Sequence, residues 1–228
     1  MQELLLKNIT KNYDGLDGAV SDINLSIASG AVFLVQGSIG SGKSTLCRII
    51  AGLENPSSGE MFFNGVEYGS VTIKQRDICY IGDSCTLWNG KLNKTIIKGA
   101  KNHGIEKSVI EDRLKIASEL LGLEKWLKHN YKKKSEKLPQ DIILKAQLAR
   151  AIVREPKILI IDDMFLGCDI EFLENFVIDD FLNPLINTVK NLKNTITIIT
   201  TSEIVEAEFL ASSLAIEYNV MASGILFL

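Results

Sequence analysis

Gly37-Ser38-Ile39-Gly40-Ser41-Gly42-Lys43-Ser44-Thr45 is the stretch on which the reading of this chain turns. Its spacing is G-x-x-x-x-G-K-[ST], and both flanks suit it. The apolar run Ala31 to Gln36 reads as a short strand entering the loop, and Leu46 to Ala51 reads as a helix leaving it. The residue types answer to phosphate chemistry. Glycines let backbone N–H groups curl around phosphate oxygens with no Cβ in the way, and a helix N-terminus adds favourable partial charge. The loop therefore predicts a nucleotide site built from Gly37, Ser38, Gly40, Ser41, Gly42, Lys43, Ser44 and Thr45. Lys43 would reach the β- and γ-phosphates, Ser44 would ligate Mg2+, and Thr45 would support the α-phosphate side.

Further along, Lys157 to Ile161 is a second apolar strand, and it ends in Asp162-Asp163. An acid at a strand end can simply cap a helix. About a hundred residues after a phosphate loop, it reads better as a metal site, with Asp162 holding Mg2+ through water. Other strand-like runs lie at Glu3 to Lys7, Asp22 to Ile27, Asp77 to Ile81 and Thr195 to Thr200, several of them nearly continuous apolar segments of the kind buried on both faces. Between Leu92 and Val153 the pattern changes. Val109, Ile110, Leu114, Ile116, Ala117, Leu120 and Leu121 recur at spacings of three and four, which marks a helical block. The expectation is an α/β fold: a P-loop NTPase core with a helical subdomain inserted at about 84–153, the core taking about 1–83 and 154–228 of a single domain.

Bulk properties narrow the function. The 228 residues are 46% hydrophobic with a net charge of −3, so a sizeable core is available and no global basic field exists to attract nucleic acid. Cys47, Cys79, Cys85 and Cys168 form no C-x-x-C pair, which suits a reducing cytoplasm. The longest apolar runs, such as Ile158 to Ile161, are far below the roughly 20 residues that span a bilayer. Any membrane association is expected to come through a partner. The cationic run Lys132 to Lys137 reads as a solvated loop.

The ordered set of marks resembles the nucleotide-binding domains of ATP-binding cassette proteins over nearly the whole chain. Tyr13 stands upstream of the loop, where that family places an aromatic that stacks on adenine. Leu53 to Gly65 is similar to its LxxPxxGxhxxxG stretch, Ile78 to Ile96 resembles its exporter-type lobe junction, and Gln147 to Asp169 resembles the LARAI helix, acidic strand and D-loop. The resemblance implies an antiparallel β edge on the core, ATP and Mg2+ as ligands, and a head-to-tail dimer. In that dimer each ATP lies between one subunit's phosphate loop and the other's signature segment.

Four positions depart from the family pattern. Asp83 stands where a glutamine senses Mg2+ and water, and it cannot donate an amide hydrogen bond. Asp163 stands where a glutamate polarises the attacking water. A carboxylate retracted by one methylene sits roughly 1.5 Å away, and errors near 1 Å can cost about 10²-fold in rate. Thr201 stands where a histidine contacts the γ-phosphate, and the only two histidines, His103 and His129, fall in the helical block. Leu138-Pro139-Gln140-Asp141-Ile142 stands where LSGGQ holds the partner's γ-phosphate. There Pro139 removes an N–H and Asp141 would set negative charge against phosphate, although both residues suit a plain helix start.

Asp163 is thus a weak base candidate, with Asp83 and Thr201 its substituted companions. The expected function is ATP binding with slow or absent hydrolysis, as the ATP-binding subunit or domain of a transporter. Its expected partners are a transmembrane subunit and a second nucleotide-binding domain, in a heterodimer, with the chain cytoplasmic and peripheral to a membrane through its partner. The alternative expectation is a regulatory or scaffolding module that holds ATP without a transport cycle.

Overall fold

The computed structural model describes residues 3–14, 16–82, 90–129, 138–163 and 182–227. In chain order these form β1 (Glu3–Tyr13), β2 (Leu16–Ala28), β3 (Val32–Gln36), α1 (Lys43–Ala51), β4 (Ser58–Phe63), β5 (Val66–Glu67) and β6 (Ile78–Gly82). Then come α2 (Leu92–Asn102), α3 (Lys107–Leu120), α4 (Glu124–His129), α5 (Gln140–Arg154) and β7 (Ile158–Asp162). The rest is α6 (Asn183–Asn191), β8 (Ile196–Thr201), α7 (Ile204–Leu214), β9 (Tyr218–Ala222) and β10 (Ile225–Phe227).

One compact unit gathers 3–82, 156–163 and 194–227. Its larger sheet has the order β10-β9-β3-β8-β7-β6, with β9, β3, β8, β7 and β6 parallel and β10 antiparallel at the edge. A second, antiparallel sheet runs β2-β1-β4-β5. This is the α/β core with an antiparallel β edge that the sequence implies.

Every residue of β7 and β8 is buried, as their continuous runs require of strands covered on both faces. Ile158, Ile160, Ile196 and Ile198 share one cluster with Leu46, Ile49 and Ile50 of α1 and with Leu4, Leu6, Ile9 and Ile23 of the antiparallel sheet. Leu159, Ile161 and Ile199, one residue out of step, are buried outside that cluster, and α7 packs on β3, β8 and β9. Truncating one of these isoleucines to alanine would cost about 2–5 kcal/mol. The core thus clamps α1, and with it the loop that precedes α1.

The six expected strands are present, and the first two are longer than their apolar runs. β1 and β2 continue as far as the pairing of Tyr13 with Leu16, through register shifts between Leu6 and Ile9, Ile9 and Lys11, and Lys11 and Tyr13. Each shift resets the inward and outward alternation, so the sequence period fades before the strand ends. Strands β4, β5, β9 and β10 are short, with most residues exposed or half-buried, and carry too little alternation to be read from sequence.

The second unit holds 90–155 and 182–193. Ile110, Ala117 and Leu121 are buried as their helical spacing predicts, whereas Ile116 is exposed. The sequence placed all of 154–228 in the core. In the structure α6 instead packs against α3 and α5, burying Leu185, Ile186 and Val189, so 182–193 groups with the helices. The run Lys132 to Lys137 lies outside the described residues.

Candidate nucleotide site

Strand β3 lies between β8 and β9 and delivers the loop at its C-terminal end, where the Gly37 N–H donates to the Thr201 carbonyl at 3.1 Å. Two of the glycines are sterically required. Gly42 has φ 104°, and a Cβ there would run into the Ala19 carbonyl; a Cβ on Gly37 would meet the Met221 carbonyl. Gly42 also precedes the first turn of α1 with no side-chain cap, so no side chain of the cap residue consumes the helix's leading N–H groups. Residues 39–45 line a cavity of about 430 Å³ together with Tyr13, Gly18, Ala19, Asp163 and Ser223. The volume suits a nucleotide.

Lys43 is buried under the loop. Its Nζ donates to the carbonyls of Gly37 at 2.6 Å and Ser38 at 3.1 Å, and lies 3.7 Å from Asp163 Oδ2. The two side chains of that ion pair are only 3% and 9% exposed, so solvent screens it little. Asp162 collects three hydroxyls: Ser44 Oγ at 3.0 Å and Thr200 Oγ1 at 2.8 Å donate to Oδ1, and the Tyr80 phenol donates to Oδ2 at 2.5 Å. Burial, and then the hydrogen bond to Asp162, push the Tyr80 phenol far above its ordinary range, so it stays a donor. Burial likewise pushes up the Cys47 thiol on α1, which leaves it protonated and inert.

Asp163 sits in the left-handed region at φ 46°. Its N–H donates to the carbonyl and Oγ1 of Thr200, both at 3.1 Å. Its Oδ1 accepts from both the N–H and the Oγ of Ser202, each at 3.1 Å, while Oδ2 faces Lys43. Thr201 points elsewhere. Its Oγ1 donates to Glu206 Oε2 at 2.6 Å and accepts from the Glu203 N–H at 3.1 Å. The group that reaches Asp163 from the end of β8 is therefore Ser202, not Thr201. Strand alternation explains it: 200 and 202 share a face and 201 takes the other.

Thr200, Ser202 and Tyr80 are the members of the site that sequence reasoning passed over. The period of two along β8 was the available signal for the first two. Tyr80 carries no local signal, because its role arises from the pairing of β6 beside β7. Asp83 and Asp169 lie outside the described residues. His103 is committed within the helical unit, its Nδ1 to the Gly99 carbonyl and its Nε2 beside Arg154 Nη2. At the start of α5, Pro139 is extended at φ −56° and ψ 150°, no side chain caps the helix, and Asp141 occupies the first turn.

The donor set fits a Mg2+-bound nucleoside triphosphate. Among the described residues no three His, Cys, Asp or Glu gather to hold a metal by themselves. Mg2+ ordinarily needs only one or two protein oxygens beside substrate phosphates. Ser44 and Asp162 would supply those oxygens, and Lys43 with the loop N–H groups would hold the phosphates.

Residues 20–165 match the family model described as "ABC transporter". The chain belongs to the ABC transporter family. Curated relatives of this ABC chain include the "Fe(3+) ions import ATP-binding protein FbpC" of Escherichia coli (strain K12), 32% identical over 165 residues. Two others are the "Putrescine transport ATP-binding protein PotG" of the same organism, 34% over 161 residues, and the "Oligosaccharides import ATP-binding protein MsmX" of Bacillus subtilis (strain 168), 34% over 170 residues. These alignments take in 72%, 70% and 74% of this chain but only 46%, 41% and 46% of the relatives, so the chain spans less than half of their length.

Solved structures share the fold. "Structure of ATP binding subunit of ABC transporter" superposes with a TM-score of 0.79 at 21% identity, over 97% of this chain and 86% of that one. "Structure of a bacterial Atm1-family ABC exporter with ATP bound" does so at 0.74 and 17%, over 98% of this chain and 38% of that one. ATP with Mg2+ is the ligand pair of this family's ATP-binding domains, and the site described above has the donors for both. No helix among the described residues is long and apolar enough to cross a membrane.

Proposed function

We propose that this chain is the ATP-binding part of an ABC transporter that holds Mg-ATP and turns it over slowly or not at all. Tyr13 takes the base, Gly37 to Thr45 take the phosphates, and Ser44 and Asp162 take the metal. The observation that carries the second half of the reading is the state of Asp163. A general base needs a free lone pair aimed at the attacking water. Here Oδ1 accepts both hydrogen bonds from Ser202, and the lone pairs left on Oδ2 face the Lys43 ammonium at 3.7 Å, on a side chain one methylene shorter than glutamate.

Losses at Asp163 and Thr201 act on the nucleotide held by this chain's own loop, whereas Pro139 and Asp141 act on a nucleotide held by a partner. A homodimer would have both sites impaired twice over. The arrangement therefore favours a heterodimer with a second nucleotide-binding domain, seated on a transmembrane subunit at the cytoplasmic face. The stretch Ile78 to Ile96 resembles exporters, while FbpC and MsmX carry import names, so the reading assigns no direction of transport.

One observation also favours a regulatory or scaffolding role: Lys43, Ser44 and Asp162 are intact beside an engaged Asp163, as a module that keeps ATP as a structural ligand would require. Titration calorimetry and a phosphate-release assay on one sample with Mg2+ test both readings. Binding with negligible release is expected. Steady release at rates ordinary for a working ATPase, lost in Asp163→Asn, would show an active base and overturn the slow-turnover reading. Co-purification with a membrane protein favours the transporter role over the scaffold.

A further inference from the structure

Taking the cavity to be an ATP site, we propose that Lys11 is the positioning residue for the nucleotide base: it fixes the Tyr13 ring in its stacking orientation before the ligand arrives. Tyr13 is 38% exposed at the end of β1, opposite Leu16. An aromatic in such a place would ordinarily sample several rotamers, and binding would have to quench that freedom. Instead the ring is held at two points. Its hydroxyl lies 3.4 Å from Thr45 Oγ1, in the phosphate loop itself, and the Lys11 ammonium lies 5.2 Å from its centroid, within cation-π range.

The ammonium is itself clamped. Lys11 Nζ lies 3.2 Å from Glu54 Oε1 and donates to the Asn55 carbonyl at 2.8 Å, and the Lys11 and Glu54 side chains are only 17% and 18% exposed. The segment just after α1 thus anchors a cation on the ring, while Thr45, at the start of α1, anchors the hydroxyl. Base platform and phosphate loop are set relative to each other by the same helix. The ligand class is an aromatic base carried on a polyphosphate, recognised by stacking, with the loop reading the phosphates.

The test is calorimetric titration of the full chain with Mg-ATP and, separately, with Mg-tripolyphosphate, which has no base. Lys11→Met keeps the apolar stem and removes the charge. It is expected to weaken ATP binding by roughly two- to fivefold, the equivalent of one cation-π contact, and to leave tripolyphosphate unchanged. Lys11→Arg is expected to retain wild-type ATP affinity, and Glu54→Gln to show part of the loss. In a Tyr13→Leu background, Lys11→Met should have no further effect on ATP.

An equal loss for tripolyphosphate would mean that Lys11 acts through general charge, and it would overturn the proposal. So would unchanged ATP affinity in Lys11→Met, or a loss that persists without Tyr13. If the unmodified chain binds neither ligand, the ATP-site reading itself fails. If it binds both equally, only the base platform fails.

Discussion

Helices α1 and α5 begin with the same backbone chemistry and opposite dressing. Each starts with unsatisfied N–H groups, and in neither does the cap residue's side chain bond to them. α1 is approached through Gly42 at φ 104°, with Lys43 and Ser44 as its first residues, so its N-terminus is bare backbone beside a cation. α5 is approached through Pro139, with Asp141 in the first turn, so its positive end is already answered by its own carboxylate. A third start, α7, is answered internally as well, with Thr201 bonded to both the Glu203 N–H and the Glu206 carboxyl. A helix N-terminus is open to an anion where the chain's own acids and hydroxyls are turned away from it, and at α1 the hydroxyls of Ser44 and Thr45 lie toward Asp162 and Tyr13 instead.

The largest expected effect breaks the α1 side of that comparison. Lys43→Ala removes the cation and leaves the Asp163 carboxylate buried without it; truncating one partner of such a pair typically costs 2–5 kcal/mol or more. ATP affinity should fall about 100-fold or more by calorimetry. Unchanged affinity would show that the loop does not hold the nucleotide.

A smaller effect tests α5. Asp141→Asn should lower stability by about 0.3–1 kcal/mol in chemical denaturation, because a favourable charge on the helix dipole is lost, with no change in ATP affinity of this chain's own loop. A gain in stability would mean that Asp141 is kept for something other than the helix start.

The smallest effect concerns α7 and depends on pH. Burial pushes the Glu206 carboxyl above its ordinary 4.5, partly offset by the Thr201 hydrogen bond and reinforced by Asp163 and Glu203. A carboxyl raised in the folded state binds its proton more tightly there. Its contribution to stability is therefore full below the unfolded value and is lost as pH rises through the folded one. Glu206→Gln keeps an acceptor for Thr201 without the charge. It should melt higher than the parent at pH 8, with the gain shrinking toward pH 4.5. A gain that is constant with pH would show that Glu206 does not titrate in this range.

Much of the fold was legible because strands β3, β7 and β8 are short continuous apolar runs and the helical block keeps a 3.6-residue period. The boundary of the helical unit was less so. Nothing in the period of α6 says whether its apolar face will meet a sheet or α3 and α5, and that choice moved 182–193 out of the core. In the site, the sequence offered Gly37 to Thr45, Asp162 and Thr201 one by one, whereas the bonds that Thr200 and Ser202 make to the two aspartates arise only from the pairing of β7 with β8.

By itself the sequence determined where phosphate can bind, since the glycine spacing, Lys43 and Ser44 lie within nine consecutive residues and act through local backbone geometry. It also carried the start of α5, since proline before the first turn and aspartate within it suit a helix start by local chemistry alone. Only the tertiary structure decided what Asp162 and Asp163 are free to do. Their partners come from 38 to 120 residues away: Ser44, Tyr80 and Thr200 on Asp162, Ser202 and Lys43 on Asp163. Those distances close only when β7 and β8 pair in register and the core clamps α1 above them. The engagement of an acid is a property of that packing and not of any segment of the chain.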